Sequence, residues 1–97
     1  MNKLLCDDCP TNDPNLRGEI LLDALQVINR ERQDDYGNPE DTFTAIARLW
    51  SAYLDLDLRP TDVAHLMILL KIARGAKKRD NWVDIAGYAA LGYELSR

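Results

Sequence analysis

At 97 residues, with 46% hydrophobic and 29% charged side chains, the chain has the composition of one folded domain with a modest core, which excludes both disorder and a second domain. A net charge of −4 argues against a partner of the nucleic-acid polymer class, since nonspecific binding along a polymer draws on many Lys and Arg contacts to phosphate. The longest apolar run, LMILL at 66–70, is far short of the ~20 residues that span a bilayer, and the N-terminus has no secretory pattern, so no membrane partner is expected and a cytoplasmic setting is.

Residues 1–15 read as a flexible N-terminal tail, and 16–97 as a single helical domain. The tail holds the only two cysteines, Cys6 and Cys9, spaced as one CxxC and followed by Pro10. A structural zinc site usually needs four ligands, and a redox pair of the thioredoxin type needs a strand before it and a helix after it. Neither context is present, so the cysteines read as incidental, with a zinc shared between subunits as the alternative.

The first helix is expected over about Leu16 to Asp35, where Leu21, Ala24 or Leu25, and Ile28 recur at steps of three and four. Three residues further along that stripe stands Glu31. Tyr36-Gly37-Asn38-Pro39 stops the helix. A second helix is predicted from about Pro39 to Leu54, capped by Asn38, with Glu40 and Asp41 suitably placed in its first turn. LDLDLRP at 54–60 alternates like a strand but has no partner strand, and reads as a connector.

The third helix, capped by Thr61 or by the residue before Pro60, should reach about Lys77. It is apolar nearly all round, which marks a central helix or one at a subunit interface. GAKKRD makes a basic turn. A fourth helix, capped by Asp80, then runs to about Leu95, with small residues that permit close helix–helix approach. The fold class is all-α: four helices packed in a bundle-like way, with oligomerisation as the natural means of enlarging so small a core.

Three groups of polar residues interrupt these stripes. Glu31, Asp34 and Asp35 crowd the C-terminal end of the first helix, where acids oppose the macrodipole and a cation would relieve them. A solvated helix end is the plainer reading. Lys71 and Arg74, three residues apart, could hold phosphate oxygens or pair with Asp80 and Asp84. Asp84 sits between Val83 and Ile85, and an unpaired carboxylate in a core would cost several kcal/mol. It therefore needs Lys71, Arg74, hydrogen-bond donors or a hard divalent cation such as Mg2+. Tyr36, Trp50, Trp82 and Tyr88 could stack on a base, although aromatics at helical spacing are more often core. His65 has no Ser or Cys partner for a nucleophilic triad.

The blocks ERQDDYGNPEDTF, PTDVAHLMILLKIAR and KRDNWVDIAGYAAL together resemble a family of small bacteriophage and prophage proteins of unassigned function, over roughly residues 17–95. More distantly, they are similar to MazG-like all-α nucleoside triphosphate pyrophosphohydrolases and to phage domains associated with nucleotide modification. That resemblance implies an oligomeric helical bundle that uses Mg2+ to split a nucleoside triphosphate into monophosphate and pyrophosphate, in a host cytoplasm if the chain is phage-encoded. The MazG-like enzymes hold metal with E-x-x-E and E-x-x-D motifs. Here Glu31 to Asp34 has E-x-x-D spacing, Asn81 to Asp84 matches only in its last member, and no E-x-x-E occurs.

On this reading Glu31 and Asp84 are the catalytic acids, and Glu31, Asp34, Asp35, Asp80 and Asp84 are the metal-side carboxylates. Lys71, Arg74, Tyr36 and Trp82 contact the substrate. The alternative is a non-catalytic, homo-oligomeric interaction module in which the same charges form a buried ion-pair network.

Overall fold

The computed structural model describes residues 14–31 and 37–97; Cys6, Cys9, Asp34, Asp35 and Tyr36, together with the side chain of Glu31, lie outside that description. Four helices and no strand are present among the described residues. Helix α1, Pro14–Gln26, opens on a proline, whose missing N–H costs nothing at a first helical position. It passes into a π-helical turn, Val27–Glu31. That wider turn changes the register that a uniform 3.6-residue period assigned to Glu31.

Helix α2, Pro39–Leu54, begins as the sequence predicts. The Asn38 side-chain oxygen accepts a hydrogen bond from the Glu40 amide at 2.9 Å, Pro39 takes the first position, and Glu40 and Asp41 occupy the first turn. The helix ends at Asp55, which adopts a left-handed conformation (φ 56°). Residues 55–59 form the connector. The Ser51 hydroxyl accepts from the Leu58 amide at 2.9 Å and donates to the Leu58 carbonyl at 3.4 Å, so the strand-like alternation of LDLDL is held as a loop.

Helix α3, Pro60–Arg74, is capped by Arg59, the residue before Pro60. The Asp62 carboxylate accepts from the Arg59 amide at 2.9 Å. The helix stops three residues short of the expected Lys77, because Gly75 takes φ 119°, a conformation open to glycine and rarely to other residues.

Helix α4, Arg79–Leu95, starts one residue before Asp80, and its cap is Lys78. Asp80 is therefore not the N-cap. It lies inside the first turn, where an acid still complements the positive end of the helix dipole.

The strongest packing joins α3 to α4; α2 lies mainly against α3, and α1 against α4. Phe43 and Ala47 of α2, Val63 and Ala64 of α3, and Tyr88 and Leu91 of α4 form the main core. The Phe43 and Tyr88 rings meet at a 45° tilt with centroids 6.3 Å apart, within the range of favourable aromatic pairs. Burying a side chain such as Phe43 contributes about 1.5–3 kcal/mol. On the other flank of α4, Ala24 of α1 and Val83 are buried, and Ile28 reaches Gly87. No helix among the described residues is long and apolar enough to cross a membrane.

Candidate functional site

The site the sequence singles out falls where the C-terminal half of α3 meets the first turns of α4. Lys71 and Asp84 belong to facing helices joined by the four-residue turn 75–78. Their spacing about that turn brings them opposite each other, Lys71 Nζ lying 2.9 Å from Asp84 Oδ2. The pair is half-buried: the Lys71 side chain is 14% exposed and that of Asp84 33%. In such a seam the ammonium group has little water to replace its counterion. The carboxylate is nearer the solvent edge.

Arg74, one turn beyond Lys71, is exposed and forms no ion pair with another described residue. Of the two bases predicted to meet Asp84, Lys71 does so and Arg74 does not. Asp80 is exposed at the start of α4.

The turn between the two helices is fixed by side chains that follow it. Asn81, 5% exposed, donates from Nδ2 to the Gly75 carbonyl at 2.9 Å. Trp82 donates from its indole N–H to the Ala76 carbonyl at 2.6 Å while the residue stays 48% exposed. These carbonyls lie beyond the end of α3, so α4 supplies donors to backbone that the helix ladder no longer serves. The sequence pattern offers Trp82 as a substrate contact and gives no role to Asn81. The signal for both was Asn-Trp directly after a Gly-containing basic turn.

Arg79 completes the arrangement by pairing with Asp23 of α1. The hydrogen bond to Asp23, and then the charge of that carboxylate, raise the Arg79 guanidinium above its usual pKa. This contact was not foreseen, since Asp23 stands 56 residues earlier in the chain.

Among the described residues, no three His, Cys, Asp or Glu side chains gather in a way that could hold a metal ion. Three of the five expected metal-side acids, Glu31, Asp34 and Asp35, have side chains outside the described set. Two of the surface cavities formed by the described residues lie elsewhere. One, of about 330 Å3, is lined by Glu40, Thr44, Pro60, Glu94, Leu95 and Arg97. The other, of about 290 Å3, lies between α3 and α4 around His65, Ile68, Ala89, Gly92 and Tyr93. Neither contains Lys71, Arg74, Trp82 or Asp84.

The chain is similar to two phage proteins that carry the name "Gene 55 protein". It is 47% identical to that of Mycobacterium phage D29 over 73 residues, which cover 72% of this chain and 48% of the relative. It is 46% identical to that of Mycobacterium phage L5 over 76 residues, covering 74% of this chain and 49% of the relative. The chain thus spans about half the length of these curated relatives. No solved structure matches it. Residues 19–96, which take in α2, α3, α4, most of α1 and the whole Lys71–Asp84 seam, match the domain of unknown function DUF6378, and the chain belongs to that family.

Proposed function

We propose that the chain is a phage nucleotide-handling domain of the MazG-like type, binding a nucleoside triphosphate with Mg2+ and, where turnover occurs, releasing pyrophosphate. The observation that carries this reading is the Lys71–Asp84 pair: a carboxylate between Val83 and Ile85, one-third open to solvent, held by a base. An exposed Arg74 stands one turn away. Asp84 presents hard oxygen to a cation, and Arg74 presents a planar set of donors suited to phosphate. Glu31, Asp34 and Asp35 would complete the metal-side acids, with Asp80 on the approach, and Tyr36 and Trp82 would contact the base. The bound cation would neutralise phosphate charge and lower the pKa of a water molecule.

The direct test is calorimetric titration of nucleoside triphosphates with Mg2+, followed by a pyrophosphate-release assay. Binding by at least one nucleotide is expected, and Asp84→Asn should abolish it with a modest loss of stability. Wild-type protein that binds no nucleotide would sink the proposal.

A second reading, a homo-oligomeric interaction module, is favoured by a separate observation. Leu66, Leu69, Leu70 and Ile72 of α3 are all exposed, Leu69 and Ile72 at 58% each, and Leu66, Leu69 and Leu70 share one helix face at steps of three and four. On that reading Asp84→Asn changes stability alone, with no ligand to lose. Leu69→Glu should shift the protein to a smaller species in sedimentation velocity. An unchanged sedimentation coefficient would exclude assembly through this face.

A further inference from the structure

Five of the twelve cationic side chains of this acidic protein fall within nine residues, 71–79, at the end of α3, the turn and the start of α4. They are not equivalent. Lys71 is engaged by Asp84 and Arg79 by Asp23. Arg74, Lys77 and Lys78 are exposed and form no ion pair with another described residue. The two engaged bases hold the helices together, one on each flank of α4, and the other three lie between them along the turn.

That turn is braced. Asn81 holds the Gly75 carbonyl, Trp82 holds the Ala76 carbonyl, and the Arg79–Asp23 pair ties the start of α4 to α1. Asp80, next to this run in the sequence, is exposed at the start of α4 and lies close enough to Arg79 to favour its charged form. Like charges anchored close together on a fixed backbone keep part of their repulsion even as the exposed side chains move and salt screens them. An anion of several charges relieves it.

We infer that the α3–α4 turn is a polyphosphate-binding element, in which Arg74, Lys77 and Lys78 take the phosphate chain while Lys71 stays with Asp84. This rests on the nucleotide reading for its ligand class, and it moves the phosphate contacts from the α3–α4 seam to the turn. A short phosphate chain fits three bases spread over five residues, whereas a polymer would need a longer basic track than this acidic chain provides.

The test titrates inorganic tripolyphosphate into the whole protein by calorimetry, with amide chemical shifts followed by NMR. Shifts concentrated at residues 74–80 are expected, with affinity that falls as salt is raised. The triple variant Arg74→Gln, Lys77→Gln, Lys78→Gln should weaken binding at least tenfold, and since all three positions are exposed its thermal midpoint should match the wild type. Unchanged tripolyphosphate affinity in that variant would overturn the inference. So would tighter binding of a short DNA duplex than of tripolyphosphate by the wild type.

A parallel titration with a nucleoside triphosphate and Mg2+ separates the two ideas. If the triple variant keeps wild-type nucleotide affinity, neither the turn nor Arg74 holds the phosphates, and the nucleotide reading stands only in its Asp84 and Mg2+ part. If the wild type binds neither tripolyphosphate nor any nucleotide, both fail.

Discussion

Helix α4 is held on two sides by similar devices in different surroundings. Against α3, Gly92 lies so close that an added Cβ would come within 3.2 Å of the Ala64 Cβ, and Lys71 pairs with Asp84 in a half-buried seam. Against α1, a Cβ on Gly87 would come within 3.2 Å of an Ile28 methyl group, and Arg79 pairs with Asp23 near the surface, where the two side chains are 53% and 40% exposed. Each flank thus has one glycine contact and one ion pair. On the α3 side the neighbours cannot yield, because Ala64 has no side-chain rotation and Lys71 has little water. On the α1 side both partners can adjust.

Substitutions that break this comparison should separate the flanks. The largest effect is expected from Asp84→Ala, which strands the Lys71 ammonium in its seam. Breaking a fully buried pair costs about 3–5 kcal/mol. With Asp84 one-third exposed, about 2 kcal/mol is expected in urea unfolding. The double variant Lys71→Met, Asp84→Leu should recover most of that loss, since an apolar pair of similar size removes both charges together. A double variant no more stable than Asp84→Ala would mean that the seam is wetter than its geometry indicates.

The glycines sharpen the contrast. Gly92→Ala should destabilise by about 1 kcal/mol, overpacking of about 2 kcal/mol, mid-way in its usual range, outweighing about 1 kcal/mol of helix propensity. Gly87→Ala meets the Cγ2 methyl of a half-buried Ile28, which needs to give by only a few tenths of an ångström, so the propensity gain should bring its net effect near zero. Equal thermal midpoints for the two variants would remove the distinction.

Asp23→Asn should also have a small effect. An exposed pair adds little, and less at high salt, so the thermal midpoint should fall only slightly at low ionic strength. The difference should fade further in 1 M NaCl, where screening is strong.

How far the sequence could be read follows the same division between local and distant causes. The start of α2 was legible because Asn-Pro-Glu-Asp places cap, first residue and dipole-matching acids in one short run. The connector at 55–59 was legible from the lack of a partner strand. The Lys71–Asp84 contact could be anticipated because an acid that interrupts an apolar stripe requires a counter-charge. The end of α3 was overestimated, since Ala76 and Lys77 suit a helix and only the backbone angle of Gly75 shows the stop.

The π-helical turn was hidden for another reason: Leu21, Leu25 and Ile28 satisfy a 3.6-residue period whether or not the turn after Gln26 widens. Arg79–Asp23 was beyond reach because each residue looks like an ordinary surface charge until α1 is laid along α4. Of the candidate site, the base and acid on α3 and α4 are found together, and Arg74 is found near but apart. Glu31, Asp34, Asp35 and Tyr36 fall where the described side chains do not extend.

The direction of the bonds that brace the 75–78 turn has a consequence in time. Asn81 and Trp82 each reach back six residues, so the turn is closed by groups that leave the ribosome after it, whereas Ser51 precedes the connector it holds. Loops this short close at little entropic cost. The α3–α4 hairpin therefore carries its own fastening, while α1, made before the other described helices, has its main packing partner in α4, made after them.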